Sequence, residues 1–128
     1  MKAIFIILFA FIFSLLSYVK GQDTIYIPLD YSTIQQGIDA SSDDDLILVD
    51  TGTYMENINF NGKAIILASN YLINNDTNCI NNTIIDGSQP TDPNQGSVVT
   101  LDSQEDTTSV LCGFTITGGS GTLFIMDQ

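Results

Sequence analysis

The stretch Leu46–Asn70, LILVDTGTYMENINFNGKAIILASN, decides the architecture. It carries three short runs, LILV, ENINF and AIIL, separated by Gly, Asn and Asp. LILV and AIIL are too short to read as helices, and ENINF alternates polar with apolar residues as a half-buried strand does. The stretch therefore predicts strand, tight turn, strand, tight turn, strand.

On its N-terminal side, the run TIYI (Thr24–Ile27) is strand-like and is closed by Pro28. A short helix is predicted over Ser32–Ala40. Ser32 followed by Gln35 fits a capping box, and Ile34 and Ile38 lie four apart on one face. Gly37 weakens such a helix by about 1 kcal/mol relative to Ala. It needs a surface to pack on, which makes it a lid over the end of the following strands. Asp43-Asp44-Asp45 comes next. Adjacent carboxylates point apart and no EF-hand spacing follows, so this reads as a solvated turn and not a calcium site.

On the C-terminal side, apolar runs begin near residues 46, 64, 83, 97 and 109. Antiparallel hairpins and stacked parallel rungs both fit those intervals. The connecting segments NYLINNDTNCINN and GSQPTDPNQG have the composition of surface loops. No helical period of useful length follows Ser42.

The first residues read as a secretory signal. Lys2 precedes the apolar run Ala3–Phe13, and Val19-Lys20-Gly21 suits cleavage after Gly21. The run is shorter than the roughly 20 apolar residues of a spanning helix. The expected location is extracellular or at the cell surface, with no membrane association after cleavage. The organisation is then signal peptide over 1–21, strand and capping helix over 22–45, and further strands over 46–128.

Cleavage changes the electrostatics. The whole chain carries −12, and loss of Lys2 and Lys20 leaves −14 with Lys63 as the sole basic residue. Such a surface repels phosphate backbones and anionic lipid, so nucleic-acid and membrane-surface binding are disfavoured. With no His, neither Ser-His-Asp nor Cys-His catalysis can form, and no imidazole metal site exists. With no Arg, there is no bidentate clamp for carboxylate or phosphate. No cofactor or metal is implied.

Paired carboxylates are the catalytic constellation the composition still permits, because two at suitable separation can run glycoside hydrolysis. Asp50, Glu56, Asp86, Asp102 and Asp106 lie at predicted strand ends. Acidic residues flanking turns in any strand-rich protein give the same pattern, so no residue is assigned as catalytic. Cys79 and Cys112 either pair as a disulfide in the secreted chain, or Cys112 serves as a small buried hydrophobe. Asn75-Asp76-Thr77 and Asn81-Asn82-Thr83 match the glycosylation sequon, which makes Asn75 and Asn81 candidate acceptors. The alternative is simple turn-forming Asn.

Taken in order, Tyr31–Ala40, Leu46–Ile58, Lys63–Leu67, Thr83–Gly87 and Gly113–Thr117 resemble the N-terminal part of right-handed parallel β-helix proteins, the pectin-lyase-like fold. The resemblance covers roughly residues 24 to 121, and GTYMEN after LILV with the TIQQGI helix upstream is its specific part. It implies an all-β parallel solenoid whose first coil is closed by the short helix. Stacked coils would bury Ile, Leu, Val and Phe, with Asn and Gly at the corners. The family includes pectin esterases, pectate lyases and polygalacturonases. The catalytic Asp, Arg and Gln of the esterases lie in later coils and have no counterparts here, and Lys63 in a turn does not match the basic residue of the lyases.

The expected function is that of a secreted, non-catalytic β-helix segment, a structural or surface- and carbohydrate-associated interaction module. The alternative is a fragment of a polysaccharide-active enzyme whose catalytic coils are missing. After Gly118-Gly-Ser-Gly121 no capping element is visible before Gln128, so an incomplete chain is expected, with an exposed last coil that promotes self-association. Sugar binding would require exposed aromatics on one face, and Tyr26, Tyr31, Tyr54 and Tyr71 are the candidates.

Overall fold

The computed structural model describes residues 21–123, so the signal segment expected over 1–21 lies, Gly21 apart, outside the described residues. Strand β1 (Thr24–Ile27) leads to helix α1 (Ile34–Ala40) and then to β2 (Leu46–Val49), β3 (Gly52–Tyr54), β4 (Ile58–Asn59) and β5 (Ile66–Ser69). Two short helices follow, α2 (Tyr71–Asn74) and α3 (Thr77–Asn82), and then β6 (Thr83–Asp86). The remaining strands are β7 (Gln95–Gly96), β8 (Val99–Thr100), β9 (Val110–Cys112), β10 (Thr115–Thr117) and β11 (Gly121–Thr122).

The described residues are mostly strand and loop, and the pairing is largely parallel. One sheet runs β1-β2-β5-β9 and aligns Ile25, Ile47, Leu67 and Leu111 in a single row. A second runs β3-β6-β10 and aligns Tyr54, Ile85 and Ile116. In a third, β4 pairs with β8, with Ile58 opposite Val99. Consecutive strands β2, β3 and β4 thus enter three different sheets, and β5, β6 and β8 return to the same three beside them. Of the two arrangements the sequence spacing allowed, parallel pairing dominates; β7 and β11 form one antiparallel pair.

Alternation along the strands explains the core. Ile47 and Val49 of β2 turn inward, as do Leu67 and Ser69 opposite them, while Leu46 and Leu48 are half-buried. Phe60, Ile65 and Ile85 join them at 0 % exposure. Fully burying an aliphatic side chain of this size stabilises by about 1.5–3 kcal/mol. Helix α1 covers one end of this core with Ile34 and Ile38, both 0 % exposed. Its Gly37 permits the approach, since a Cβ there would lie 2.9 Å from Ile27 Cδ1. The helix-weakening glycine thus lets α1 sit close to Ile27, whose Cδ1 would have to move for any larger residue.

Several local expectations are corrected. The cap of α1 is Thr33, one residue later than expected, and its Oγ1 accepts from Gln36 N–H at 3.2 Å. Ser32 instead donates its hydroxyl to Gln36 Oε1 at 3.0 Å. Gln35, freed from the cap, clamps β4: its Oε1 accepts from Asn59 N–H at 2.8 Å and its Nε2 donates to Asn59 O at 3.1 Å. The segment NYLINNDTNCINN, expected as loop, contains α2 and α3. Asp76 caps α3 by accepting from Asn78 N–H at 2.9 Å, and Asn75 ends α2 in the left-handed conformation at φ 54°. The same Asn and Asp that signalled a loop by composition act here as helix caps. The apolar run around Cys112 splits into β9 and β10 at Gly113, where φ is +83°.

Candidate functional site

Glu56 is one of the five strand-end carboxylates named from the sequence, and it lies in the GTYMEN segment. Its Oε1 accepts from Ile34 N–H and its Oε2 from Gln35 N–H, each at 2.9 Å. These are the first two residues of α1, whose N–H groups have no partner inside the helix. At the other end, Lys63 Nζ donates to the carbonyls of Ile38, Asp39 and Ser41 at 2.5, 2.8 and 2.8 Å. A carboxylate at the helix N-terminus and an ammonium at its C-terminus both oppose the helix dipole, and all five bonds are charge-assisted. The segment between β3 and β5 thus grips a seven-residue helix at both ends.

The other candidate carboxylates are also engaged, each in its own neighbourhood. Asp50 Oδ1 accepts from Thr51 N–H at 2.7 Å and from Asn70 Nδ2 at 3.1 Å. Asp86 Oδ1 accepts from Ser88 N–H at 2.9 Å, and Asp102 Oδ1 from the Ser103 hydroxyl at 3.1 Å. Asp106 Oδ1 accepts from the Thr108 hydroxyl at 2.5 Å and its N–H at 2.8 Å, which hold its carboxyl below the ordinary 3.8. Asp50 and Glu56 share Tyr54 as a neighbour. Burial first, then these two negative charges, push the Tyr54 phenol above its ordinary 10.0, so it stays protonated at neutral pH. Its hydroxyl donates to the Asp50 carbonyl at 2.9 Å. The turn expected to be solvated at Asp43–Asp45 is so only at Asp43 and Asp44; Asp45 is 2 % exposed because its Oδ2 accepts from Ser42 N–H at 2.8 Å and its Oδ1 from Asp23 N–H at 3.1 Å, while Asp43 Oδ1 accepts from Ala64 N–H at 2.9 Å.

Glu105 carries a linking role that the sequence did not signal. Its Oε1 accepts from Gly62 N–H at 2.8 Å and its Oε2 from Ser103 N–H at 2.9 Å. Desolvation works to raise its pKa, but the backbone donors together outweigh it and hold the carboxyl below its ordinary 4.5. Both cysteines are free thiols, with Cys79 buried beside Asn74 and Cys112 half-buried. Asn75 and Asn81 are exposed, whereas Thr83 of the second sequon is 0 % exposed.

What remains is an open cleft of about 200 Å³ on the outer face of the four-stranded sheet, lined by Tyr26, Pro28, Leu29, Leu48, Asp50 and Asn70. Its geometry follows from register. Tyr26 and Leu48 are register partners on the side of the sheet that lines the cleft, the next partner, Ala68, being fully buried, and two residues further along each chain lie Pro28, Asp50 and Asn70. The turn after β1 is fastened by Asp30, whose N–H donates to Tyr26 O and whose Oδ2 accepts from Tyr26 N–H, both at 2.7 Å. Tyr26 and Leu29 are 46 % and 82 % exposed. Of the four tyrosines singled out, Tyr26 lines the cleft; Tyr31 is exposed elsewhere, and Tyr54 and Tyr71 are half-buried. Strand propensity could mark Tyr26 as outward-facing, but the meeting of residues 26–29, 48–50 and 70 depends on register between distant strands.

Among the described residues no helix is long and apolar enough to cross a membrane, and no cluster of three or more His, Cys, Asp or Glu is placed to hold a metal ion. No protein-family model matches the chain, and no curated protein or solved structure matches it.

Proposed function

We propose that this chain is a secreted, non-catalytic segment of a right-handed parallel β-helix, acting as a structural or surface-interaction module. Its three parallel sheets, visited in rotation, would be the faces of successive coils, with α1 as the lid of the first. One observation carries the non-catalytic reading: the charges of the GTYMEN-to-Lys63 segment are committed to the backbone of α1. A general acid or nucleophile must reach substrate, and Glu56 has both oxygens directed to helix N–H groups. The module would meet polysaccharide or other cell-surface components through its outer faces, and its open last layer would favour self-association. The test is incubation of the secreted protein with pectin, polygalacturonate and neutral polysaccharides, followed by measurement of new reducing ends, unsaturated products and released methanol. No product is expected; turnover that is lost in Glu56→Gln or Asp50→Asn would replace this reading with a polysaccharide-active enzyme.

A further inference from the structure

The cleft beside Tyr26 has a chemistry of its own. One wall is apolar, made by the exposed ring of Tyr26 with Pro28, Leu29 and Leu48; the other is the Asp50–Asn70 pair. Asn70 Nδ2 donates to Asp50 Oδ1 at 3.1 Å, and Thr51 N–H donates to the same oxygen at 2.7 Å. Among the described residues no donor is paired with Asp50 Oδ2 or with the tyrosine hydroxyl. The pair therefore presents a fixed carboxylate acceptor next to a carboxamide that can both donate and accept.

We infer that this cleft binds a single neutral hexopyranose ring, an inference that rests on the reading of the protein as a non-catalytic interaction module. A pyranose has an apolar C–H face and a rim of hydroxyls that donate and accept. The Tyr26 ring is flat, amphipathic and low in rotamer entropy, which suits it to lie against the C–H face. Asp50 and Asn70 together match a pair of neighbouring hydroxyls. A lysine-like cation, whose ammonium the Asp50 carboxylate and the Tyr26 face would also attract, is the competing ligand, and the test carries one for comparison. A uronic acid is disfavoured, because the Asp50 carboxylate lines the cleft on a chain of −14 after signal cleavage. The volume of about 200 Å³ falls below the roughly 300–1,000 Å³ of ordinary small-molecule pockets, which limits the site to one ring. A shallow, open site of this kind binds with a Kd on the order of 1 mM.

The experiment is saturation-transfer NMR on the full chain produced by a secretory host. The probes are the methyl glycosides of glucose, galactose and mannose, galacturonate, and N-acetyl-lysine methylamide as the cationic comparison. At least one neutral glycoside should receive saturation on its ring C–H protons. Tyr26→Phe should retain that signal, while Tyr26→Ala and Asp50→Ala should each weaken binding at least tenfold; unchanged circular dichroism would show that both still fold. Transfer to none of the neutral glycosides, transfer unaffected by Tyr26→Ala, or galacturonate or the lysine derivative binding as well as any neutral glycoside would each overturn the inference. A parallel sedimentation assay with insoluble polysaccharide separates the two readings. Retention that survives Tyr26→Ala would reject this cleft and leave the module standing, whereas product release would reject the module itself.

Discussion

The two ends of the described strand layers use the same kinds of side chain and end in opposite states. At the first, α1 lies over Ile27 and Ile47, which are 1 % and 0 % exposed. At the last, Leu111 and Ile116 occupy the register positions of Leu67 and Ile85, yet they are 38 % and 43 % exposed where those two are 0 %. A parallel strand does not bury its own inward row; the next layer or a lid does. The difference lies in who supplies the cover. At the helical end the cover is held by polar contacts from the segment between β3 and β5, and at the other end β9 and β10 are, among the described residues, each paired on one side only.

The largest effect should come from removing the grip on the lid. Glu56→Ala leaves the N–H groups of Ile34 and Gln35 without their charged acceptor in a part-buried position. Losing two charge-assisted bonds there should cost about 2–3 kcal/mol. For a domain of this size that lowers Tm by roughly 10–20 °C in a thermal melt. Glu56→Gln should recover part of the loss, since one amide oxygen can still accept. A Glu56→Ala melt within error of the wild type would mean that Ile34 and Ile38, the Gln35 clamp on Asn59 and Lys63 hold α1 without it.

A smaller loss is expected at the opposite end of the same helix. Lys63→Met keeps the length and apolar stem of the side chain but removes the donor to the Ile38, Asp39 and Ser41 carbonyls. C-terminal carbonyls reach water more easily than buried N–H groups, so about 1–2 kcal/mol is expected in urea unfolding. Equal losses at the two ends would show that the lid is held by its dipole as a unit and not mainly by its N-terminus.

At the uncovered end, stability should barely change while association should. The exposed Val110, Leu111 and Ile116 adjoin strand edges, the arrangement that promotes edge pairing with another chain. The protein should associate in a concentration-dependent way in analytical ultracentrifugation. Leu111→Lys with Ile116→Lys should abolish this and shift unfolding by no more than about 0.5 kcal/mol. A wild type that stays monomeric at high concentration would show that the end is covered, and the comparison of the two ends would fail.

The same contrast explains which features were legible in the sequence. LILV, TIIDG and the TIQQGI helix carry their periods locally, and each became an element close to where its pattern lies. Packing two residues beyond Tyr54 against a helix more than twenty residues earlier is a non-local event, so Glu56 showed its acidity but not its partner. Asn and Asp were ambiguous for a physical reason: one side chain can start a turn or cap a helix, and Asp76 does the latter. The cleft was invisible because it is assembled by strand register. Only Tyr26 and Asp50 among its lining residues had been singled out, and for unrelated reasons.

The smallest expected effect concerns acid, and it separates the loop before β9 from the lid. Glu105 joins Gly62 to Ser103, and Asp106 holds Thr108. Both carboxyls are held below their ordinary values of 4.5 and 3.8 when folded. A folded pKa below the unfolded one favours the folded arrangement above the ordinary value, and that contribution is lost as pH falls through the folded pKa. In an NMR pH titration the Gly62 and Ser103 amides should shift with a midpoint below 4.5, and the Thr108 amide with one below 3.8. Glu105→Gln should flatten the Gly62 response and leave that of Thr108 in place. Midpoints at or above the ordinary values would mean that these hydrogen bonds do not hold the loop in solution. That result would make the whole region between β8 and β9 an extension of the loosely covered end, not a brace beside it.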